Sequence, residues 1–366
     1  MPQDLSAAPD VDAVLIVSFG GPEGPADVLP FLENVTRGRG IPRERLAQVG
    51  EHYHRFGGVS PINGQNRALI AALEGELAAA GLQLPVYWGN RNWDPYLSDT
   101  LRHMVDDGIQ HAAAFVTAAY SSYSACRQYQ DDIAQARSAA GPRAPRISKL
   151  RHYFNHPGFV EPMAENLRQA LERFPAERRS GIRLLFTAHS IPVSMAEASG
   201  PRGNGYVTQL RETAQLVLDC LAAGPAGTGK PGIPHVAELV FQSRSGDPST
   251  PWLEPDVLDA LDELAAEGVR DVVLCPIGFV SDHMEVLYDL DTEARARAAE
   301  LGLTLERAAT VGTDSRFLAM IRELVVERAA AEAGREPERP ALGALGPAWD
   351  VCPANCCPAP VRRPAG

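Results

Sequence analysis

The feature that most constrains this chain is a regular alternation of short apolar runs, rich in Val, Ile and Leu, with longer amphipathic stretches. Such alternation is typical of βαβ units, in which helices cover both faces of a parallel sheet. The pattern therefore predicts an α/β fold. The apolar runs predicted to be strands are 13–19, 85–89, 112–118 and 147–153, followed by 182–187, 237–242 and 271–276.

The predicted strands fall into two sets that look like two copies of one plan. The first strand of each set ends in a small or polar residue, and a turn containing proline follows, at Ser18 to Pro22 and at His189 to Pro192. We therefore predict two doubly wound, Rossmann-like domains with parallel sheets. Their strand carboxyl ends are expected to meet at a shared central cleft, where open α/β sheets bind ligands. The predicted helices are 66–80, 96–107, 160–174, 205–221, 254–267 and 315–333.

Composition divides the chain further. The segment 139–145, rich in Ala, Gly and Pro, is the predicted junction between the two sets of strands. We predict a first half over residues 1–145, a second half over 146–314, a C-terminal helix over 315–334 and a cysteine-containing tail over 335–366. The tail is dense in Pro and Ala, and it is expected to lie outside the packed core.

Charge and hydropathy argue against two classes of protein. The 366 residues carry a formal net charge of −12, which disfavours nucleic acid because phosphate backbones are bound through a surplus of Lys and Arg. No run of about 18 apolar residues occurs, so no membrane-spanning helix is expected. The N-terminus has no basic region typical of a secretory signal. We therefore expect a cytoplasmic protein whose cysteines are thiols or metal ligands.

Three carboxylates are predicted to line one face of a helix. Glu285, Asp289 and Glu293 are spaced at i, i+4 and i+8, and they follow the strand that ends at Pro276. Ser281 or Asp282 is the predicted N-cap. A solvated acidic face is one interpretation. The other is a ladder of hard oxygen ligands for a divalent metal, or a proton relay, and the position after a strand end favours it.

His189 is the second candidate for chemistry, because it follows an apolar strand at the same edge of the second sheet. It is either a core histidine that holds a turn or a titrating group and metal ligand. Since Glu285 follows another strand of the same half, we expect the two side chains to face each other across one cleft.

The cysteines are unevenly distributed, and Cys352, Cys356 and Cys357 lie together in the tail. Three thiolates need a fourth ligand to complete either a tetrahedral zinc site or a [2Fe–2S] centre. A redox-sensitive tail is the other interpretation. Cys220, on a predicted helix, and Cys275, in a predicted strand, are interpreted as small hydrophobic residues.

Four short segments resemble the signature stretches of ferrochelatases and occur in that family's order, at 18–22, 56–61, 187–192 and 281–289. The resemblance extends from about residue 12 to about residue 330. It implies a lyase-type metal chelatase of haem biosynthesis that inserts its substrate Fe²⁺ into a porphyrin. A cobalt or nickel tetrapyrrole chelatase and a non-enzymatic porphyrin carrier remain alternatives.

The resemblance also implies roles for individual residues. His189 matches the family's active-site histidine, which is either the pyrrole proton acceptor or an iron ligand. Glu285 matches the carboxylate that faces it across the macrocycle, so that the pair sandwiches the ring. Asp289 and Glu293 match the acidic ladder that forms a metal or proton path.

Further residues are implied to bind the porphyrin. Arg37, Ser60 and Arg91 are placed near its propionates, where a guanidinium can grip a carboxylate in two places. Tyr123 is a further predicted contact with the substrate. Phe19 stands where some relatives have a tyrosine, so it can pack against the ring but cannot ligate iron.

The tail resembles that of the subset of ferrochelatases with a cluster-binding extension, in which an upstream cysteine like Cys126 completes a [2Fe–2S] site. The loop 56–62 contains no long apolar insertion of the kind that attaches protoporphyrin enzymes to membranes. Coproporphyrin III is therefore the favoured substrate and protoporphyrin IX the alternative. A transient hand-off of the product to the next enzyme of the haem pathway is the expected partnership.

Overall fold

The computed structural model describes residues 11–38, 40–224, 233–245 and 249–360. Within them, eight strands form two four-stranded parallel sheets, which confirms the predicted α/β fold with two sheets. The residues 1–10, on which the interpretation of the N-terminus rests, lie outside the described residues. The strands are β1 Ala13–Ser18, β2 Val86–Asn90, β3 His111–Val116, β4 Arg146–Lys149, β5 Arg183–His189, β6 Val236–Gln242, β7 Asp271–Cys275 and β8 Thr304–Arg307.

The two sheets share one topology, β2–β1–β3–β4 in the first and β6–β5–β7–β8 in the second. The first strand of each half is central, and its residues are almost completely buried because helices cover both faces. The helices are α1 Val28–Val35, α2 Arg43–His54, α3 Ile62–Ala79, α4 Leu97–Asp106, α5 Gln128–Ala140, α6 Pro157–Glu172, α7 Val193–Glu197, α8 Gly205–Ala222, α9 Val257–Ala266, α10 Met284–Tyr288, α11 Arg295–Glu300 and α12 Ser315–Glu332.

The predicted boundary between the halves needs one correction. β4 pairs with β3, so residues 146–149 belong to the first sheet and not to the second half. The C-terminal helix α12 packs against α3 and α6. The other domain limits stay a prediction. In the part of the chain that the structure describes, no helix is long and apolar enough to cross a membrane.

The tail is less detached than predicted. The side-chain amide of Asn155 donates hydrogen bonds to the carbonyl oxygens of Leu342 and Gly346, at 3.0 and 2.9 Å. Cys356 and Cys357 are buried. No helix or strand forms in the described part of the tail, but these hydrogen bonds and the two buried cysteines hold it at those points against the protein surface.

Candidate active site

A cavity of about 350 Å³ lies where the carboxyl ends of the two central strands meet, which agrees with the predicted shared cleft. Phe19 follows β1 on the first wall, and His189 ends β5 on the second. The Tyr120 hydroxyl, beyond β3, donates a hydrogen bond to the carbonyl oxygen of Ile277 in the other half, at 2.9 Å. The two halves are therefore joined directly beside the cavity.

The ring of His189 is oriented by backbone groups. Its Nδ1 lies against the carbonyl oxygen of Ser190. A carbonyl oxygen can only accept a hydrogen bond, so Nδ1 carries the hydrogen, and a neutral ring keeps its lone pair on Nε2. The Tyr206 hydroxyl donates to the carbonyl oxygen of His189 at 2.8 Å. The residue is thus fixed with Nε2 as its basic atom.

Glu285 meets His189 inside this cavity, but not in the predicted arrangement. The distance from His189 Nε2 to Glu285 Oε2 is 3.6 Å. A flat ring placed between two groups needs about 7 Å, since each face requires a van der Waals separation of about 3.5 Å. The prediction that the pair sandwiches the macrocycle is therefore wrong. Both groups belong to the second half and lie on one side of the cavity.

Each member of the pair favours the charged form of the other. Burial lowers the pKa of His189, but the charge and hydrogen bond of Glu285 and the Ser190 carbonyl outweigh it, so the pKa is raised overall. Burial raises the pKa of Glu285, but His189 and then His283 bring it down to about 2. The side chains are 33% and 48% exposed, so water in the cavity weakens this attraction relative to a buried pair.

The coupling gives a prediction for the titration of His189. Because the carboxylate holds its pKa above the ordinary value of about 6.5, the ring should lose its proton only as the pH rises through this higher value. Substituting Glu285→Gln removes the negative charge, and the pKa should fall. NMR titration of labelled histidine, with the signal assigned from a His189→Ala spectrum, measures both values; an unchanged or higher pKa in the variant would contradict the coupling.

The acidic ladder is present, but its backbone differs from the predicted regular helix. α10 ends at Tyr288, and a π-helical turn over Asp289–Ala294 follows. His283 is the N-cap, in place of the predicted Ser281 or Asp282, because its Nδ1 accepts a hydrogen bond from the Glu285 amide at 3.2 Å. π-helical turns are frequent at functional sites.

The three carboxylates form a series from the cavity to the solvent. Glu285 lines the cavity, Asp289 is partly buried, and Glu293 is exposed. Burial raises the pKa of Asp289 to about 7, despite a hydrogen bond from Ser243 that lowers it, and Glu285 and Glu293 add to the rise. A cation in this series would therefore relieve repulsion between the acids.

Sequence reasoning missed three polar residues near this series. His283 lines the cavity beside Glu285, with Nδ1 3.7 Å from Oε2. Gln242 ends β6 and Ser243 follows it, and both donate to Asp289. His189 was predicted because it is a polar residue at the carboxyl end of a strand. Gln242 and Ser243 occupy the same kind of position at the end of β6, so the same signal could have identified them.

Only some of the predicted porphyrin-binding residues line the cavity. Phe19, 37% exposed, and Ser60, which is buried, line the cavity. Arg91 also lines it, but its Nε is paired with Asp132 at 2.6 Å, so a propionate would have to compete with that carboxylate. Two predicted residues are not part of the cavity lining, and these are Arg37 and Tyr123.

The four predicted cluster cysteines converge from distant parts of the chain. Cys352 lies within hydrogen-bonding reach of both Cys126 and Cys356, and the sulfur atoms of Cys356 and Cys357 are 3.7 Å apart. The amide of Gly200 donates to Cys357 Sγ at 3.1 Å. The thiols therefore connect the first half, the second half and the tail.

These thiols lie next to one another in pairs, such as Cys356 with Cys357 and Cys352 with Cys126. Two thiolates on one tetrahedral metal, with bonds of about 2.3 Å, lie about 3.8 Å apart, close to the separation of Cys356 and Cys357. However, no group of three or more His, Cys, Asp or Glu in the described ranges is arranged to hold a single ion.

Comparison with known proteins gives consistent matches along the chain. A sequence model of the ferrochelatase family matches residues 11–329. A coproporphyrin III ferrochelatase from Streptomyces griseus is 57% identical over 99% of this chain and 97% of its own length. One from Frankia alni is 54% identical over 97% and 88%, and a ferrochelatase from Rhodopirellula baltica is 52% identical over 98% and 97%.

One solved structure resembles the fold at low sequence identity. SirB from Bacillus subtilis with Fe³⁺ has a TM-score of 0.50 and 12% identity, covering 88% of this chain and 98% of its own. At this identity the similarity concerns the architecture alone. A chain of very different sequence therefore shares the overall fold.

Proposed function

The chain belongs to the ferrochelatase family, and from that membership we propose that it inserts Fe²⁺ into coproporphyrin III and so supplies iron coproporphyrin for haem biosynthesis. The observation that carries the proposal is the His189–Glu285 pair, 3.6 Å apart in a cavity between two parallel sheets. An imidazole whose Nε2 takes up a proton when the pH is above its raised pKa, beside a carboxylate that stabilises the protonated ring, provides what metallation of a macrocycle requires.

The proposed reaction begins with the ring between the two walls of the cavity. Phe19 packs against one face, and His189 and Glu285 lie beyond the other. The basic Nε2 of His189 accepts a pyrrole proton, and the adjacent Glu285 carboxylate stabilises the resulting imidazolium. Two pyrrole protons leave as one Fe²⁺ enters: His189 accepts the first, passes it to the acidic series and is then free to accept the second. The reaction therefore has no net redox step.

The acidic series is the proposed path for the iron. Fe²⁺ prefers nitrogen and oxygen ligands in such sites, and Glu293, Asp289 and Glu285 offer carboxylates from the solvent to the cavity. The same groups can pass the released protons outward, and the pKa of Asp289, raised by burial to about 7, suits that task.

Individual polar groups in the cavity lining support coproporphyrin III as the substrate. Its four propionates are hydrogen-bond acceptors, whereas protoporphyrin IX has vinyl groups at two of those positions. The indole Nε1 of Trp252, a lining residue, is buried without a partner among the described residues. The hydroxyl groups of Ser60, Ser245 and Ser281 also line the cavity, whereas those of Ser124 and Ser190 already donate to Met195 Sδ and to the carbonyl oxygen of Leu253.

A comparison of substrates tests the proposal. We expect kcat/KM for coproporphyrin III, measured anaerobically with Fe²⁺, to exceed that for protoporphyrin IX by at least about tenfold, because the donors that meet the additional propionates would otherwise be left unpaired. Faster insertion of Co²⁺ or Ni²⁺, a preference for protoporphyrin, or binding without metallation would each contradict it.

We further propose that Cys126, Cys352, Cys356 and Cys357 hold a [2Fe–2S] cluster. Their convergence in pairs and the burial of Cys126, Cys356 and Cys357 support it. When bound, such a cluster supplies one-electron redox chemistry and links the tail to both halves. Because iron insertion has no net redox step, we assign it a structural or sensory role.

Purification under anaerobic conditions tests the cluster. The wild-type protein should show the visible absorption of a [2Fe–2S] centre and, after reduction, its EPR signal. Cys126→Ser should lose both, whereas Cys220→Ser, a control on α8 outside the thiol group, should keep them. A colourless wild-type protein containing zinc would contradict the assignment.

Location and partnership complete the proposal. A cytoplasmic enzyme is supported by the six cysteines, none of which forms a disulfide bond among the described residues. A transient hand-off of the product to the next haem-pathway enzyme is the proposed partnership, and the exposed side of the cavity is where it would occur. Cell fractionation with an antibody against the chain tests the location, and recovery in the membrane fraction would contradict it.

A further inference from the structure

A turn of the C-terminal tail is built around the carboxylate of Glu212, which lies on α8. The backbone amide of Leu345 donates a hydrogen bond to Glu212 Oε1 at 2.8 Å. Gly343 lies against the same carboxylate, because a Cβ atom at this position would come within 2.6 Å of Glu212 Oε1. Its φ of +75° also favours glycine. The conformation of the tail at 343–345 therefore fits an acceptor held at this point of the helix.

α8 connects this contact with the catalytic histidine and with the first half. Tyr206, Gln209 and Glu212 follow one another at intervals of three residues, which places them along one side of the helix. The Tyr206 hydroxyl donates to the carbonyl oxygen of His189 at 2.8 Å. Gln209 Oε1 accepts from the amide of Ser121 in the first half at 2.7 Å, and its Nε2 donates to the Ser121 hydroxyl at 2.9 Å. A shift of α8 would therefore move the support of His189.

The end of the tail is attached to two further segments near the cavity. The amide of Gly200, in the turn before α8, donates to Cys357 Sγ at 3.1 Å. The side chain of Arg127 donates to the carbonyl oxygen of Ala354 at 3.3 Å. Arg127 ends a π-helical turn that contributes Ser124 to the cavity lining. One segment outside the cavity therefore contacts elements of both of its walls.

We propose that Glu212 is a positioning residue for the macrocycle, which holds the tail against α8 and so couples the docking of the tail to the binding of the porphyrin. The tail turn has two states, docked on Glu212 and released, and the porphyrin binds more tightly when it is docked. Hydrogen-bond networks and rigid helices carry such couplings between separate sites. Glu212 does not contact the substrate. The inference rests on the proposed function and adds to it a role for the tail.

Titration of the full-length protein with metal-free coproporphyrin III tests the proposal. Glu212→Ala removes the acceptor of the Leu345 amide and should raise the Kd of the porphyrin about fivefold, at the lower end of couplings between sites. The KM for Fe²⁺ should stay within about twofold. Glu212→Gln keeps Oε1 as an acceptor and should restore the wild-type Kd. Asp219→Ala is the matched control, because it removes a carboxylate from the same helix, where Oδ1 accepts from Gln215 at 2.8 Å; it should bind like the wild type.

Hydrogen exchange of the Leu345 amide provides the reciprocal measurement. Because coupling between two sites is mutual, bound porphyrin should slow this exchange about fivefold in the wild type. If the wild type binds the porphyrin but Glu212→Ala keeps its Kd, the positioning role is wrong and the proposed function stands. Glu212→Gln as weak as Glu212→Ala, or exchange that the porphyrin leaves unchanged, would also overturn the coupling. A wild type that neither binds nor metallates coproporphyrin III would refute the proposed function itself.

Discussion

Substituting His189→Ala is expected to lower kcat for iron insertion by about 10²–10⁴-fold, the usual contribution of a general base. The variant loses Nε2, the basic atom that the contact of Nδ1 with the Ser190 carbonyl leaves available. Porphyrin binding should remain detectable, because most of the cavity lining is unchanged. Anaerobic turnover and the shift of the porphyrin absorption on binding measure the two effects separately.

His103→Ala provides the control for this substitution, since His103 lies on the exposed end of α4 outside the cavity. It should turn over at the wild-type rate. If His189→Ala retained normal turnover, neither proton acceptance nor iron ligation could be assigned to the residue. If the variant instead lost porphyrin binding, the residue would act on the substrate before the chemistry.

The second large effect is expected on stability, at the buried ion pair of Arg151 and Glu327. The two side chains are 1% and 4% exposed and are joined by contacts of 2.6 and 3.0 Å. Arg151 also donates to the carbonyl oxygen of Pro340 in the tail at 3.0 Å. The pair therefore ties α12 and the tail to the segment after β4.

Glu327→Ala should lower the free energy of unfolding by about 3–5 kcal/mol, because it leaves the buried guanidinium without its counter-charge. The double variant Arg151→Met and Glu327→Leu should recover much of that loss, since apolar side chains of similar volume often replace a buried pair at little cost. Urea unfolding of the reduced protein measures both. A loss below about 1 kcal/mol for Glu327→Ala would show that the site relaxes and admits water.

Much of the architecture was accessible from periodicity alone. Seven strands were predicted because each is a continuous apolar run, as expected where helices cover both faces of a sheet. β8 was missed, since its four residues include Thr304, Glu306 and Arg307 and the run is short and partly polar. Glu285, Asp289 and Glu293 are four residues apart, and this spacing places side chains on one face of either an α-helix or a π-helix. The sequence therefore could not distinguish the π-helical turn at Asp289 from a regular α-helix.

The candidate site was predictable as a set of residues but not as a geometry. The strand-end rule brought His189 and Glu285 to one cleft, yet it carries no information on whether they lie at 3.6 Å or on opposite walls. The pairing of Arg91 with Asp132 depends on tertiary contacts between residues 41 positions apart. The convergence of Cys126 with the tail followed from resemblance and not from local pattern.

The most direct test of this account is a crystal structure of the protein with coproporphyrin III bound. We predict the macrocycle in the cavity between the sheets, with Phe19 against one face and both His189 and Glu285 beyond the other. A ring lying between His189 and Glu285, or bound outside this cavity, would contradict the account.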